Sequence, residues 1–414
     1  MKKIIILSLV LVLSAAVLFG GGKKEVENPS VFKIGFSSSL SGTFAGVAET
    51  QKKSFVLAVE EINAAGGLKM PWGKIPVESL IEDDQAKLDV GVRKFREMMD
   101  QGMNALTGGI WNPMSAALNE ETKISPVIYV PGFVPAKDAF MAGNPAICSY
   151  TPTFTPWSIG YITGQAIAKN LGKKTIFFLK RADSWGTVIQ EGLDAACKEY
   201  GIEIVAVEEL PAGTVDYSAV INKALRVKPD VFVTTMFGGD AIANLKQAYD
   251  MGLYDVSTIF NVWTANIVAK GIPENALAGH YALAWFYYDL TGFKDKAVAE
   301  KVKKYSDAYM ARWNEPPDNM GTAAYLAAKL IFGAVEEAGT FDPEKVSKVF
   351  ETRKIDTIKG SYIFRKDRQP INDHTAFLLK GKTPGEKKDK WDFFTVVDSY
   401  GGEKVLPPLS VMGY

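Results

Sequence analysis

Hydrophobic positions along this chain switch repeatedly between two periods. Short apolar runs rich in β-branched and aromatic residues are followed by segments whose apolar side chains recur every three to four positions, the pattern of strands feeding helices. The first unit is Val31–Gly67. Val31-Phe32-Lys33-Ile34-Gly35-Phe36 reads as a strand and the hydroxyl-rich stretch Ser37 to Thr43 as a turn. Phe55, Ala58, Val59 and Ile62 then mark one helical face that Gly66-Gly67 ends. Such a turn leaves backbone N–H groups at the helix start, which attract anions, and open α/β sheets bind ligands at the carboxyl ends of their strands. A second strand follows at Ile75–Ile81. The acids after it, Glu82-Asp83-Asp84, are expected to cap the helix Leu88–Gln101. Ala105–Gly108 and Val127–Val130 are the next strands, with the helix Met114–Thr122 between them.

Ile147–Thr153 breaks the rhythm, and Pro152 and Pro156 mark a connection. A second set of elements repeats the first: strand Lys174–Leu179, helix Trp185–Tyr200, strand Ile204–Glu208, helix Tyr217–Leu225, strand Val231–Thr235, helix Asp240–Asp250 and strand Thr258–Asn261. Each strand is a continuous apolar run, as expected of parallel strands covered on both faces. Past His280–Trp285 the periodicity predicts helices at Ala297–Trp313, Gly321–Ala338 and Pro343–Thr352. The spacing of Tyr325, Ala328, Phe332 and Val335 is that of core packing. Lys359–Phe364 and Thr375–Leu379 are expected to form a hairpin, with Pro370-Ile371-Asn372-Asp373 in its connecting loop. The whole is an α/β chain of two doubly wound, Rossmann-like lobes.

Composition narrows the function classes. The 414 residues exceed one ordinary core. Lys+Arg and Asp+Glu number 47 each, so no net field holds a polyanion, which argues against nucleic acid as a partner. Met1-Lys2-Lys3 followed by the apolar run Ile4 to Phe19 and Gly20-Gly21-Gly22 reads as an export signal over residues 1–22. The competing reading is a membrane anchor, for which the run is shorter than the roughly twenty residues a span needs. Leu18-Phe19-Gly20 resembles the run before a lipoprotein cysteine, yet Gly21 stands where that Cys belongs, so lipid attachment has no acceptor. Cys148 and Cys197 are read as two buried free thiols.

No catalytic constellation is visible. His280 and His374 are too far apart for a local metal pair, and the nucleophile-elbow, zinc-protease, phosphate-loop and calcium-loop motifs do not occur. The reading is a non-enzyme without metal or cofactor.

Ile34-Gly35-Phe36 with Leu40-Ser41-Gly42-Thr43-Phe44-Ala45, the helix end Ile62-Asn63-Ala64-Ala65-Gly66-Gly67, and Lys228-Pro229-Asp230-Val231 together resemble the periplasmic solute-binding proteins of branched-chain amino acid and amide ABC importers. The resemblance runs from about Val31 to Leu379. It implies two lobes joined by three crossings, near Ser149–Thr153, Ala282–Trp285 and Thr357–Ser361. Lobe one would be 31–150 plus 284–357, and lobe two 151–283 plus 358–400. It further implies closure on a small ligand, a monomer outside the cytoplasm, and docking onto a permease with its ATPase subunits at the inner membrane. A ligand-sensing receptor of the same fold is the alternative, and the export signal without a fused signalling domain favours transport.

Carried over position by position, the family's pocket changes character here. A hydroxyl residue before the third helix, which holds a carboxylate in amino acid binders, becomes Asn112 in Gly109-Ile110-Trp111-Asn112-Pro113-Met114-Ser115. Its amide and the backbone N–H groups of Met114 and Ser115 still suit an anion. The threonine after the fourth strand becomes Pro135, in Gly132-Phe133-Val134-Pro135. The acidic partner of the ammonium becomes Trp263. An ammonium closed into a cleft without a carboxylate costs several kcal/mol. Phe44, Trp111, Phe133, Trp185, Phe237 and Trp263 stand at or just after strand ends. Each alone is equally a core residue; together they point to a small aromatic or amphiphilic carboxylate or amide stacked between lobes.

Overall fold

Phe32, Ile34 and Phe36 are fully buried in the first strand, β1 (Phe32–Ser38), and the Phe36 ring stacks on Phe55 of the following helix, α1 (Ala45–Ala64), at 5.0 Å. That contact fixes the first strand–helix unit. The computed structural model describes residues 28–133, 145–264 and 266–414. The expected export signal and Pro135 lie outside the described residues.

A small hairpin, β2 (Leu68–Met70) with β3 (Gly73–Ile75), precedes β4 (Val77–Asp83), α2 (Leu88–Asp100), β5 (Ala105–Thr107), α3 (Asn112–Ile124) and β6 (Ile128–Tyr129). The first sheet has the order β4-β1-β5-β6 and is parallel throughout. It is the sheet of lobe one. Glu82, Asp83 and Asp84 do not cap α2, whose first turn lacks a side-chain cap. Glu82 pairs with Lys94, while Asp83 and Asp84 hold the loop by accepting from the amides of Gln85 and Ala86, two residues with φ of +54°. Asp83 also accepts from the Ser41 amide, so the anion beside the first turn is the protein's own carboxylate.

The expected connection around Pro156 is instead the start of a helix, α4 (Pro156–Ala166), buried along its entire length. It packs on α5 (Ser184–Tyr200) at backbone contact: a Cβ on Gly160 would lie 1.9 Å from the Ile189 carbonyl oxygen, and one on Gly192 1.9 Å from that of Trp157. The chain continues through β7 (Thr175–Arg181), β8 (Glu203–Leu210), α6 (Ser218–Val227), β9 (Val231–Thr234), α7 (Gly239–Asp250), β10 (Thr258–Asn261), α8 (Asn266–Gly271), α9 (Glu274–Leu277) and β11 (His280–Ala284). Three long helices follow: α10 (Lys296–Trp313), α11 (Asn319–Ala338) and α12 (Pro343–Thr352). They return to lobe one, where the Tyr305 hydroxyl meets Ser54 of α1 at 3.0 Å.

The predicted hairpin has a different partner. β12 (Ile355–Thr357), β13 (Gly360–Phe364) and β14 (Pro370–Asn372) form their own antiparallel sheet, so Pro370–Asn372 is a strand and not the loop. β15 (Ala376–Gly381) pairs with β11 and with a strand the sequence pattern did not reveal, β16 (Phe394–Tyr400). The second sheet therefore runs β16-β15-β11-β10-β9-β7-β8, parallel from β11 to β8. It is the sheet of lobe two.

Three chain passages join the lobes, and they are tied to one another. The Tyr362 hydroxyl donates to the Pro152 carbonyl at 3.3 Å, the Thr151 amide to the Arg368 carbonyl at 3.3 Å, and the Lys359 ammonium to the Trp285 carbonyl. Cys148 and Cys197 are free and buried; burial pushes the Cys197 thiol up to about 12 and Cys148 higher still, which keeps both protonated and unreactive.

Candidate functional site

The carboxyl ends of the parallel strands place two loops opposite each other. On lobe one, Gly108 and Gly109 have φ of +93° and +98°, and a Cβ on Gly108 would lie 2.5 Å from the Ser37 carbonyl oxygen. Only glycine lets the β5 end pass that close to β1. Gln51 of α1 locks the turn, donating to the Gly109 carbonyl at 2.9 Å and accepting from the Ser38 hydroxyl at 3.0 Å. The Phe133 amide then donates to the Gly109 carbonyl at 3.2 Å, fixing that ring just after β6.

On lobe two, the Asn261 side-chain oxygen accepts from the Trp263 amide at 3.0 Å, a turn that ends β10 and projects the indole. The two loops meet. Phe133 and Trp263 lie 5.6 Å apart between centroids, and Phe154, from the first passage between lobes, packs edge-on against Trp263 at 4.9 Å and against Phe133 at 6.3 Å. Trp263 is 1% exposed.

The other expected residues distribute as follows. Trp185 is half-buried and its indole N–H donates to the Thr235 carbonyl at 3.1 Å, which sets it beside the end of β9; Phe237, also half-buried, follows the same strand. Phe44 and Trp111 are half-buried on lobe one. Among the described residues no ring contact joins these four to the Phe133–Trp263 pair. Met114 is 1% exposed and packs with Phe95, Met98 and Leu118 inside lobe one, and Ser115 is fully buried beside Tyr129. Their amides donate to the Trp111 carbonyl at 3.1 and 3.3 Å. The helix start offered as an anion site thus has those two donors occupied, which corrects the sequence expectation for the backbone of Met114 and Ser115. Asn112 is the first residue of α3.

Two residues that the sequence reading missed stand here, and the first links the lobes. Asn319, at the start of α11, donates to the Thr264 carbonyl and accepts from the Phe286 amide at 2.7 Å. Asp318 caps the same helix, accepting from the amides of Met320 and Gly321 at 3.0 and 2.9 Å and from the Thr50 hydroxyl at 3.2 Å. Burial raises its carboxyl above the usual range. The available signal was Asp318 immediately before an apolar helical run, the signature of an N-cap. With Thr264, Phe286 and Tyr287 these residues enclose a cavity of about 10 Å³, room for one water.

The arrangement can stack a ring and donate hydrogen bonds. Among the described residues no cluster of three or more His, Cys, Asp or Glu side chains forms a metal site, and no helix is long and apolar enough to cross a membrane.

Two α/β lobes, tied by three passages and meeting through loops at their strand ends, define a two-lobed ligand-binding protein. The sequence matches the periplasmic binding protein family over residues 31–386, and the chain belongs to that family. It is 24% identical over 355 residues to the leucine-, isoleucine-, valine-, threonine- and alanine-binding protein of Pseudomonas aeruginosa, covering 85% of this chain and 90% of that one. Its fold is similar to that of a branched-chain amino acid ABC transporter periplasmic ligand-binding protein from Burkholderia xenovorans, with a TM-score of 0.82 and 23% identity over 92% of this chain and 98% of that one. A solute-binding protein of an ABC transporter from Rhodopseudomonas palustris, solved in complex with 3,4-dihydroxybenzoic acid, superposes with a TM-score of 0.75 at 17% identity, covering 90% and 98%.

Proposed function

We propose that this protein captures a small ring-bearing carboxylate or amide by closing its lobes and delivers it to an ABC importer. Lobe one comprises residues 31–150 and 284–357, and lobe two 151–283 and 358–400. The protein works as an exported monomer that docks on an inner-membrane permease served by ATPase subunits. The observation that carries this reading is the pairing of Phe133 with Trp263 between the lobes; the carboxylate that shares a small cavity with Thr264, Asp318, already serves a helix cap. A flat ligand inserted between these rings exchanges one aromatic contact for two, each worth about 0.5–1.5 kcal/mol. Only the closed arrangement makes both, so binding shifts the lobe equilibrium. Phe44 and Trp111, with the α3 start at Asn112, belong to the lobe-one wall, and Trp185 and Phe237 to the lobe-two wall.

The test is thermal stabilisation across pure compounds: benzoates, phenylacetates, their amides and aliphatic α-amino acids. Ring-bearing acids or amides are expected to raise the melting temperature. Stabilisation by aliphatic α-amino acids alone refutes the reading.

A further inference from the structure

The turn from Asn261 to Thr264 carries three buried polar groups without partners. Asn261, Trp263 and Thr264 are 0%, 1% and 2% exposed, and the Asn261 amide nitrogen, the Trp263 indole nitrogen and the Thr264 hydroxyl have no hydrogen-bond partner. The Asn261 assignment is fixed by its neighbour, because its oxygen accepts the Trp263 amide and the idle group is therefore the NH₂. Two of the three groups can only donate. Trp185, the other lobe-two tryptophan at a strand end, has its N–H occupied by Thr235, whereas the Trp263 N–H is idle. Buried donors without acceptors are costly, and a site retaining several of them in one turn is matched to an incoming acceptor.

We infer that the Asn261–Thr264 turn recognises a hydrogen-bond acceptor on the solute, a carbonyl or carboxylate oxygen, and excludes an ammonium group. This rests on the proposed function and sharpens it: whatever group the ring presents to lobe one, its lobe-two end carries an acceptor. The nearby carboxylate is Asp318, which shares the small cavity with Thr264 and whose Oδ1 takes three donors of its own protein.

Two probes that share a benzoate and differ at the far end decide the matter: 4-acetylbenzoate and 4-(aminomethyl)benzoate, titrated calorimetrically into the full-length protein. The acetyl compound is expected to bind at least tenfold tighter, and Trp263→Phe, which keeps a ring and removes the donor, is expected to abolish that preference by weakening the acetyl compound about tenfold. Thr264→Val, nearly isosteric, provides a second removal if Trp263→Phe does not fold, and is expected to narrow the preference severalfold. Equal binding of the two probes, or a preference that survives both substitutions, overturns the inference and leaves the proposed function standing. Tighter binding of the aminomethyl compound also overturns it and assigns Asp318 to the ammonium. Binding of neither probe, with none of the ring compounds stabilising the protein, removes both.

Discussion

His280 makes the stability of this protein depend on mild acid. It opens β11, is fully buried, and neither ring nitrogen has a hydrogen-bond partner; the neighbouring ring is Phe394 at 6.4 Å. Burial lowers its pKa to about 4. In the unfolded chain the imidazole titrates near its ordinary value of about 6.5. Between these two values the unfolded state binds the extra proton, so stability falls as pH drops from 6.5 towards 4 and is constant above and below that window. The full effect is about 3 kcal/mol, and about 2 kcal/mol of it is lost between pH 8 and pH 5. The measurement is urea unfolding of the wild type and His280→Leu at pH 8, 6.5 and 5. Carboxylates and His374 titrate in both proteins and cancel in the difference. The variant is expected to gain about 2 kcal/mol relative to wild type on going from pH 8 to pH 5. Parallel pH profiles would refute the reasoning, because they require His280 to be hydrated or hydrogen-bonded in the native state.

Gly192→Ala drives a methyl group to 1.9 Å from the Trp157 carbonyl at the α4–α5 contact and is expected to destabilise by about 3 kcal/mol in urea unfolding, whereas Gly172→Ala, at an open helix end, has space and costs only its left-handed φ of +64°. Lys359, fully buried with its ammonium over the Trp285 and Phe377 rings at 4.4 and 5.0 Å, has its pKa held well below the usual lysine range by burial. The unfolded state therefore binds more protons up to pH 10.5, wild-type stability rises with pH towards that value, and Lys359→Met is expected to remove this rise. Trp185→Phe keeps the ring and loses the bond to Thr235, for an expected drop of about 1 kcal/mol; a loss several times larger would make the residue core packing and not cleft wall.

The strand–helix alternation was legible because parallel strands covered on both faces are continuous apolar runs, and Thr258–Asn261 and Pro343–Thr352 fall where the pattern placed them. The helix α4 was not. Every one of its residues is buried, so it has no polar face to produce a period, and the glycines that let it touch α5 read locally as breakers. β14 was hidden by Pro370, which begins a short strand at the edge of a sheet. The acids Glu82 to Asp84 carry the residue types of a cap, but the loop amides of Gln85 and Ala86 lie closer to hand than those of the helix.

At the site, residue type was more legible than residue partnership. Placing Trp263 after a strand end follows from counting along the chain; its contact with Phe133 joins positions 130 residues apart (263 less 133), in loops that follow strands of different sheets, which no local pattern encodes. Met114 shows the converse, since a helix start that resembles an anion site turns its side chain into the lobe-one core and its amide to Trp111. The same distinction governs the ligand. The sequence carries only the expectation, drawn from the resemblance, that Trp263 stands in place of an acid and so removes the charge an ammonium needs. Only the fold reveals that the turn around Trp263 holds two idle groups that can only donate, the Asn261 NH₂ and the Trp263 indole N–H, and this is what the proposed acceptor on the solute rests on.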